Sequence, residues 1–302
     1  MGERYLRRPL IFLVVLFSLT FAPLALFGQE GEPSPVELGD AAFEAGKFDE
    51  AVDLYTKRLG ETPVGNEIAV VLCKRGRAYL SLKRYGEAVS DLDRAIALAP
   101  GSKDAYYFRA LARLDVGIYA DAGKDADSAV KIDPNISEYH LLLGGLKNID
   151  GNYKGALNDF DTAIGLKGES AAAYCGRGFA FCGLVQYDFA MRDFKRAVKL
   201  APNFAEAYRG MAVVSLSDEA GDGRTALGYA EKAVKIDRNH RNLETLAAAL
   251  YGAEMIDIAV KVQREAVELL SGKGTPGEKI RFETAYGERL ELYEEGSAGG
   301  QD

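Results

Sequence analysis

The sequence predicts an all-α solenoid of about seven helix-turn-helix repeats closed by a C-terminal capping helix, and three observations carry that prediction. First, alanine recurs at Ala51, Ala88, Ala122, Ala156, Ala190, Ala226 and Ala259, at spacings of 37, 34, 34, 34, 36 and 33 residues. A period near 34 residues is the length of one two-helix unit. Second, other positions keep the same register. A small residue (Gly39, Gly76, Ala110, Gly144, Gly178, Ala247) stands twelve residues before the alanine, with Ala212 two further back, which predicts a close helix contact in every unit. Third, apolar residues fall at i, i+3, i+4 and i+7 within short segments, and no alternating run of a strand appears. One-sided helices must bury their faces on neighbours, so stability is a sum of unit and interface contributions.

In chain order, Arg4, Arg7 and Arg8 precede an apolar run from Leu10 to Phe27, which reads as an export signal over residues 1–28. The cut is expected after Gly28 or near Ala25, and an uncleaved membrane tether through residues 10–27 is the alternative. Either way the chain is expected to be exported, to a periplasm or the extracellular space. The absence of a cysteine after the run argues against a lipid anchor.

The repeat array is expected over residues 34–270. Within it an aromatic precedes the alanine by three (Phe48, Tyr85, Tyr119, Tyr153, Tyr187), and a second alanine follows by seven (Ala95, Ala129, Ala163, Ala197, Ala233, Ala266). Both lie at helical face spacing. Pro63, Pro100, Pro134 and Pro202, twelve past the alanine, should end the second helix because proline lacks the N–H and pushes its predecessor out of the α region. After the array, Thr275-Pro276-Gly277-Glu278 has the spacing of a capping box with proline at the first helical position. A capping helix over 275–295 should follow, with Phe282, Ala285, Tyr286, Leu290 and Tyr293 on one stripe. It should cover the exposed face of the last unit, leaving 296–302 as a polar tail.

Charge and residue chemistry exclude several functions. The net charge is −8, and residues 1–28 contribute +2, so the mature chain carries about −10. Such a body repels phosphate, which argues against nucleic acid as partner. Cys73, Cys175 and Cys182 are odd in number, and the last two lie about 10 Å apart along one helix, beyond disulfide reach. They read as small apolar helix residues. The two histidines, His140 and His240, form no metal-ligand spacing, and His140 stands where other units carry Tyr106, Tyr174 and Tyr208, so packing is its expected role. Ser217 to Arg224 lacks the ordered acidic alternation of a calcium loop and reads as a lengthened turn; the glycines at 272 and 274 lack P-loop spacing. Asn135-Ile136-Ser137 matches a glycosylation acceptor but occupies an inter-repeat turn. No nucleophile is held beside a base, so no enzyme and no cofactor are expected.

With its register of small residue, aromatic, alanine and proline, most complete in Tyr174 to Pro202 (YCGRGFAFCGLVQYDFAMRDFKRAVKLAP), the chain resembles the tetratricopeptide repeat family. The resemblance covers seven units, roughly Ser34 to Leu270. It implies protein or peptide binding in a concave groove lined by the first helix of each unit, through residues three before, one after and four after the small marker. On that rule the groove takes Arg77, Tyr107, Leu111, Leu141, Asn148, Cys175, Phe179 and Arg209 as partner-binding residues. An apolar, aromatic centre between two arginines suits a peptide or amphipathic helix with acidic flanks. The family's chaperone clamp uses a lysine, arginine and asparagine constellation. Here the residues after the markers are Asp40, Arg77, Leu111, Gly145 and Phe179, so that subtype is not expected. Two functions follow: a non-catalytic exported scaffold for a protein partner, or a structural subunit of an envelope assembly that self-associates.

Overall fold

The 34-residue period resolves into stacked helix pairs. In the computed structural model, residues 33–61, 65–217 and 222–299 are described, and they form fifteen α-helices and no strand. The pairs are α1 (Pro35–Glu44) with α2 (Phe48–Gly60), α3 (Asn66–Ser81) with α4 (Tyr85–Leu98), and α5 (Lys103–Asp115) with α6 (Tyr119–Ile132). Next come α7 (Ser137–Ile149) with α8 (Tyr153–Lys167), and α9 (Ala171–Gly183) with α10 (Tyr187–Leu200). The last two are α11 (Ala205–Ser217) with α12 (Gly223–Ile236), and α13 (His240–Gly252) with α14 (Ile256–Lys273). A long fifteenth helix, α15 (Pro276–Gly299), follows. The export signal expected over 1–28, Pro63 and much of the 217–224 turn lie outside the described residues. No described helix is long and apolar enough to cross a membrane.

Each helix packs on its sequence neighbours, and the odd-numbered helices also touch one another, α3 with α5, α7 with α9, α9 with α11 and α11 with α13. The first helices of the pairs therefore form a continuous inner layer. All seven recurring alanines are fully buried, as are the second alanines from Ala95 to Ala266. Their partners explain the small markers. A Cβ on Gly39 would lie 2.6 Å from the Tyr55 ring, on Gly76 2.8 Å from Leu92, on Gly144 3.0 Å from Phe160, and on Gly178 2.7 Å from Phe194. Each of those large residues is four past the recurring alanine. Where that position is Ala126 or Ala230, the marker is alanine instead, Ala110 or Ala212, so the two helix faces exchange volume.

A second rule is electrostatic. Arg75 Nε and Nη2 donate to Asp91 at 2.6 and 2.8 Å, Arg109 to Asp125 at 2.9 and 2.6 Å, and Arg177 to Asp193 at 2.7 and 2.8 Å. Each guanidinium also reaches back to the preceding pair, at Thr56, Asp93 or Asp161. In the fourth unit Leu143 replaces the arginine, and Lys147 (2.6 Å) and His140 (3.4 Å) take Asp159. The other ring nitrogen of His140 lies 3.0 Å from the Pro134 carbonyl, which makes it a satisfied packing residue. The turns inside the pairs place one residue in the left-handed region: Gly46, Gly117 and Gly151, but also Lys83, Val185 and Glu254.

At its start α15 has the reciprocal cap: Thr275 N donates to Glu278 Oε2 (3.0 Å) and Glu278 N to Thr275 Oγ1 (3.2 Å). Its far end differs from expectation. Gly296 was expected to open a free tail, yet the helix continues to Gly299, with Ser297 Oγ donating to Asp257 at 2.6 Å. A partner on α14 holds the last turn, and this outweighs the weak helix preference of Gly296.

Candidate binding groove

The inner layer is where the markers place the candidate residues, on α3, α5, α7, α9 and α11. α15 runs across this layer rather than only over the last pair. From Tyr286 onward it packs on α13 and α14: Tyr293 stacks on Tyr251 with centroids 4.5 Å apart, Arg264 pairs with Glu294 at 2.7 Å, and Gln263 Nε2 donates to the Tyr286 carbonyl at 3.1 Å. Its first turn reaches the third pair, where Tyr119 Oη donates to the Gly277 carbonyl at 2.7 Å. Two glycines permit this approach, since a Cβ on Gly277 would meet the Leu114 carbonyl at 2.6 Å, and one on Gly117 would meet Gly277 Cα at 3.2 Å.

Under α15 lies a cavity of ≈ 830 Å³. Five of the eight candidates border it: Leu141, Asn148, Cys175, Phe179 and Arg209. Phe179 meets Phe194 edge-on at 4.9 Å, and the Arg209 guanidinium lies 4.6 Å above the Phe179 ring. Asn148 Nδ2 donates to the Gly176 carbonyl at 3.0 Å, which ties α7 to α9. Cys175 departs from its expected role. It is only 2% exposed, enclosed by a cluster that includes Phe194 and Tyr208, so it forms wall and presents little surface to a partner. Burial pushes all three thiols up, Cys73 and Cys182 to about 12, so they stay protonated and unreactive near neutrality.

The other three candidates stand apart from the cavity. Arg77 lies 4.1 Å over Phe43 and 5.6 Å over Phe108, Tyr107 is tilted against Tyr139 at 5.0 Å, and Leu111 is half-buried on α5. The groove is thus divided into an open stretch along α3 and α5 and a central stretch roofed by α15.

The roof supplies residues that the marker rule could not select. Glu278 faces His240 Nε2 at 3.3 Å and Arg241 Nη2 at 3.1 Å. The hydrogen bond from His240, then the Thr275 amide and Arg241, hold its carboxyl down at about 2 despite burial. Tyr286 is 5% exposed, with its hydroxyl 3.3 Å from His240 Nδ1. Arg241 lies 5.4 Å over Phe282. His240, like His140, serves packing, in this case of the roof.

Comparison with known proteins bears on the fold. Residues 73–135 match the tetratricopeptide repeat family. A tetratricopeptide repeat protein of Parabacteroides merdae superposes with a TM-score of 0.70 over 86% of this chain and 97% of its own, at 17% identity. YrrB, described as a tetratricopeptide repeat protein with an unusual peptide-binding site, gives 0.51 over 66% and 97% at 20% identity. Serine/threonine-protein phosphatase T of Trypanosoma brucei brucei is 36% identical over 92 residues, 30% of this chain. That stretch is 18% of the phosphatase, so the chain spans under a fifth of its length. Residues 73–135 thus carry the tetratricopeptide repeat match, and the described residues as a whole share the fold of a tetratricopeptide repeat solenoid.

Proposed function

We propose that the chain is an exported, non-catalytic scaffold that holds a protein or peptide partner on the inner face of its repeats. One observation carries the reading: the array already engages a helix, α15, with the aromatic anchors Phe282 and Tyr286 packed on α13 and α14 and Glu278 paired with Arg241 of α13. Its chemistry therefore suits segments of that kind. The stretch left open by α15 presents Arg77 above Phe43 and Phe108, with Tyr107 beside them, an arginine-aromatic set of the sort that dominates binding energy. The peptide-binding description of YrrB points the same way. Export rests on the basic and apolar run of residues 4–27, and a periplasmic or extracellular site, with or without an N-terminal tether, follows from it.

Capture from the native envelope with the mature chain as bait tests this. A saturable partner should be lost when Arg77→Glu and Tyr107→Ala are combined and helicity is unchanged. Capture that survives that pair removes the open groove as the binding surface. Self-association is a second reading, favoured by Val185 and Phe189, which lie 69% and 51% exposed about one turn apart. Light scattering that shows a concentration-dependent oligomer would support it.

A further inference from the structure

The cavity beneath α15 has the size of a small-ligand site and not of a helix groove. Its ≈ 830 Å³ falls within the few-hundred to roughly 1,000 Å³ common for such sites, whereas a helix needs a channel about 10 Å wide. The roof is fastened at its first turn by Tyr119 to Gly277 and at mid-helix by Gln263 to Tyr286. Much of the wall is apolar, from Leu141, Leu142, Phe179 and Phe282.

The wall holds four carboxylates and four arginines, but they are unevenly paired. Its carboxylates are engaged: Glu278 with His240 and Arg241, Glu206 with Arg241 at 3.8 Å, Glu244 with Arg289. Burial raises the pKa of Asp115, and the hydrogen bond it takes from the Tyr85 hydroxyl opposes that rise. Two arginines have no such partner. Arg209 and Arg281 form no ion pair among the described residues, and Arg209 Nε is shut from water without a hydrogen-bond acceptor. The Arg209 guanidinium, held against the Phe179 face with its Nε unpaired and no ion pair, can take an anion that presents a planar pair of oxygens.

We propose that this chamber binds a small amphiphilic carboxylate, its headgroup on Arg209 with Arg281 at the rim and its apolar body along Leu141, Phe179 and Phe282. The site goes beyond the protein-binding reading and does not rest on it, because it lies under the roof while Arg77 and Tyr107 lie outside.

Calorimetric titration of the full chain with decanoate, below its micelle concentration and against decanol as the uncharged match, tests the site. Decanoate should bind once per chain and at least about tenfold more tightly than decanol. Arg209→Met should lower decanoate affinity by about tenfold or more and leave decanol unchanged, while Arg192→Gln on the surface of α10 changes neither. If Arg209→Met does not fold, Arg281→Gln at the rim gives the same selective loss at smaller size. Equal affinity for decanoate and decanol, no decanoate binding, or decanoate binding indifferent to the folded arginine variants would each overturn the proposal.

Discussion

Tyr119 and Gly277 are 158 residues apart in sequence, and the hydroxyl of the first donates to the carbonyl of the second across 2.7 Å. That bond joins the third helix pair to the helix that follows the seventh. Residues that seal the roof also fix the shape of the groove, so stability and binding meet at one place.

Acid should loosen the roof. The Glu278 carboxyl is held at about 2, against an ordinary value near 4.5, first by the hydrogen bond from His240. A depressed folded-state pKa means that the ionised form favours the docked helix. Its contribution is complete above about pH 4.5 and is lost as the pH falls toward 2. Near-ultraviolet signals from Tyr286 and Tyr293 should change in that window, and Glu278→Gln should remove this pH dependence and weaken docking at neutral pH. An unchanged acid titration in the variant contradicts the assignment.

Volume exchange between markers and their partners predicts steric coupling. Gly178→Ala brings a Cβ within 2.7 Å of the Phe194 ring, and the clash should cost about 1–3 kcal/mol despite the better helix propensity of alanine. Phe194→Leu in the same chain should recover part of it. Ala156→Leu, at a fully buried position, should cost a similar amount, and Lys154→Gln almost nothing. Denaturation midpoints decide, and additive losses for Gly178 and Phe194 would deny the coupling.

Arg177 bridges two pairs, with Asp193 buried beneath it and Asp161 exposed. Arg177→Ala leaves the Asp193 carboxylate without its partner and should cost about 3 kcal/mol or more, whereas Lys131→Gln at a surface pair should be nearly neutral. Arg177→Met with Asp193→Leu should restore much of the loss, because a well-packed apolar pair removes the stranded charge. A single variant as stable as the parent would show that the ladder contributes little.

Val185 holds φ at +58° while its side chain is 69% exposed, so a branched residue sits in the left-handed region with little packing to offset it. Val185→Asn should stabilise by about 1 kcal/mol, since asparagine tolerates that conformation. A lower midpoint would mean that Val185 makes contacts worth more than the strain.

Much of this was legible in the sequence because repetition multiplies weak signals. One alanine means little, but seven in register with Gly39, Gly76 and Tyr85 specify a helix pair and its closest contact. The capping box at Thr275 and Glu278 was equally plain, being local. The path of α15 was not. Its reach to Tyr119 depends on how the pairs curve, and on Gly117 meeting Gly277, a match between residues with no shared register. The arginine-aspartate ladder keeps the register of the alanines in three of the seven units. Arg75, Arg109 and Arg177, one before their markers, and Asp91, Asp125 and Asp193, three past the alanines, were signals that a search for apolar periodicity passes over. Cys175 shows the opposite failure: the marker rule names the position but not whether a neighbour such as Phe194 has already covered it.

The most direct test of the central claim is hydrogen exchange on the full chain and on Gly277→Val. A side chain at 277 cannot fit against the Leu114 carbonyl, so the first turns of α15 should detach. If α15 spans the groove, exchange should rise in residues 276–285 and also in residues 114–119, with no change in residues 66–81. A rise confined to the neighbourhood of residue 277, with 114–119 as protected as before, would contradict it.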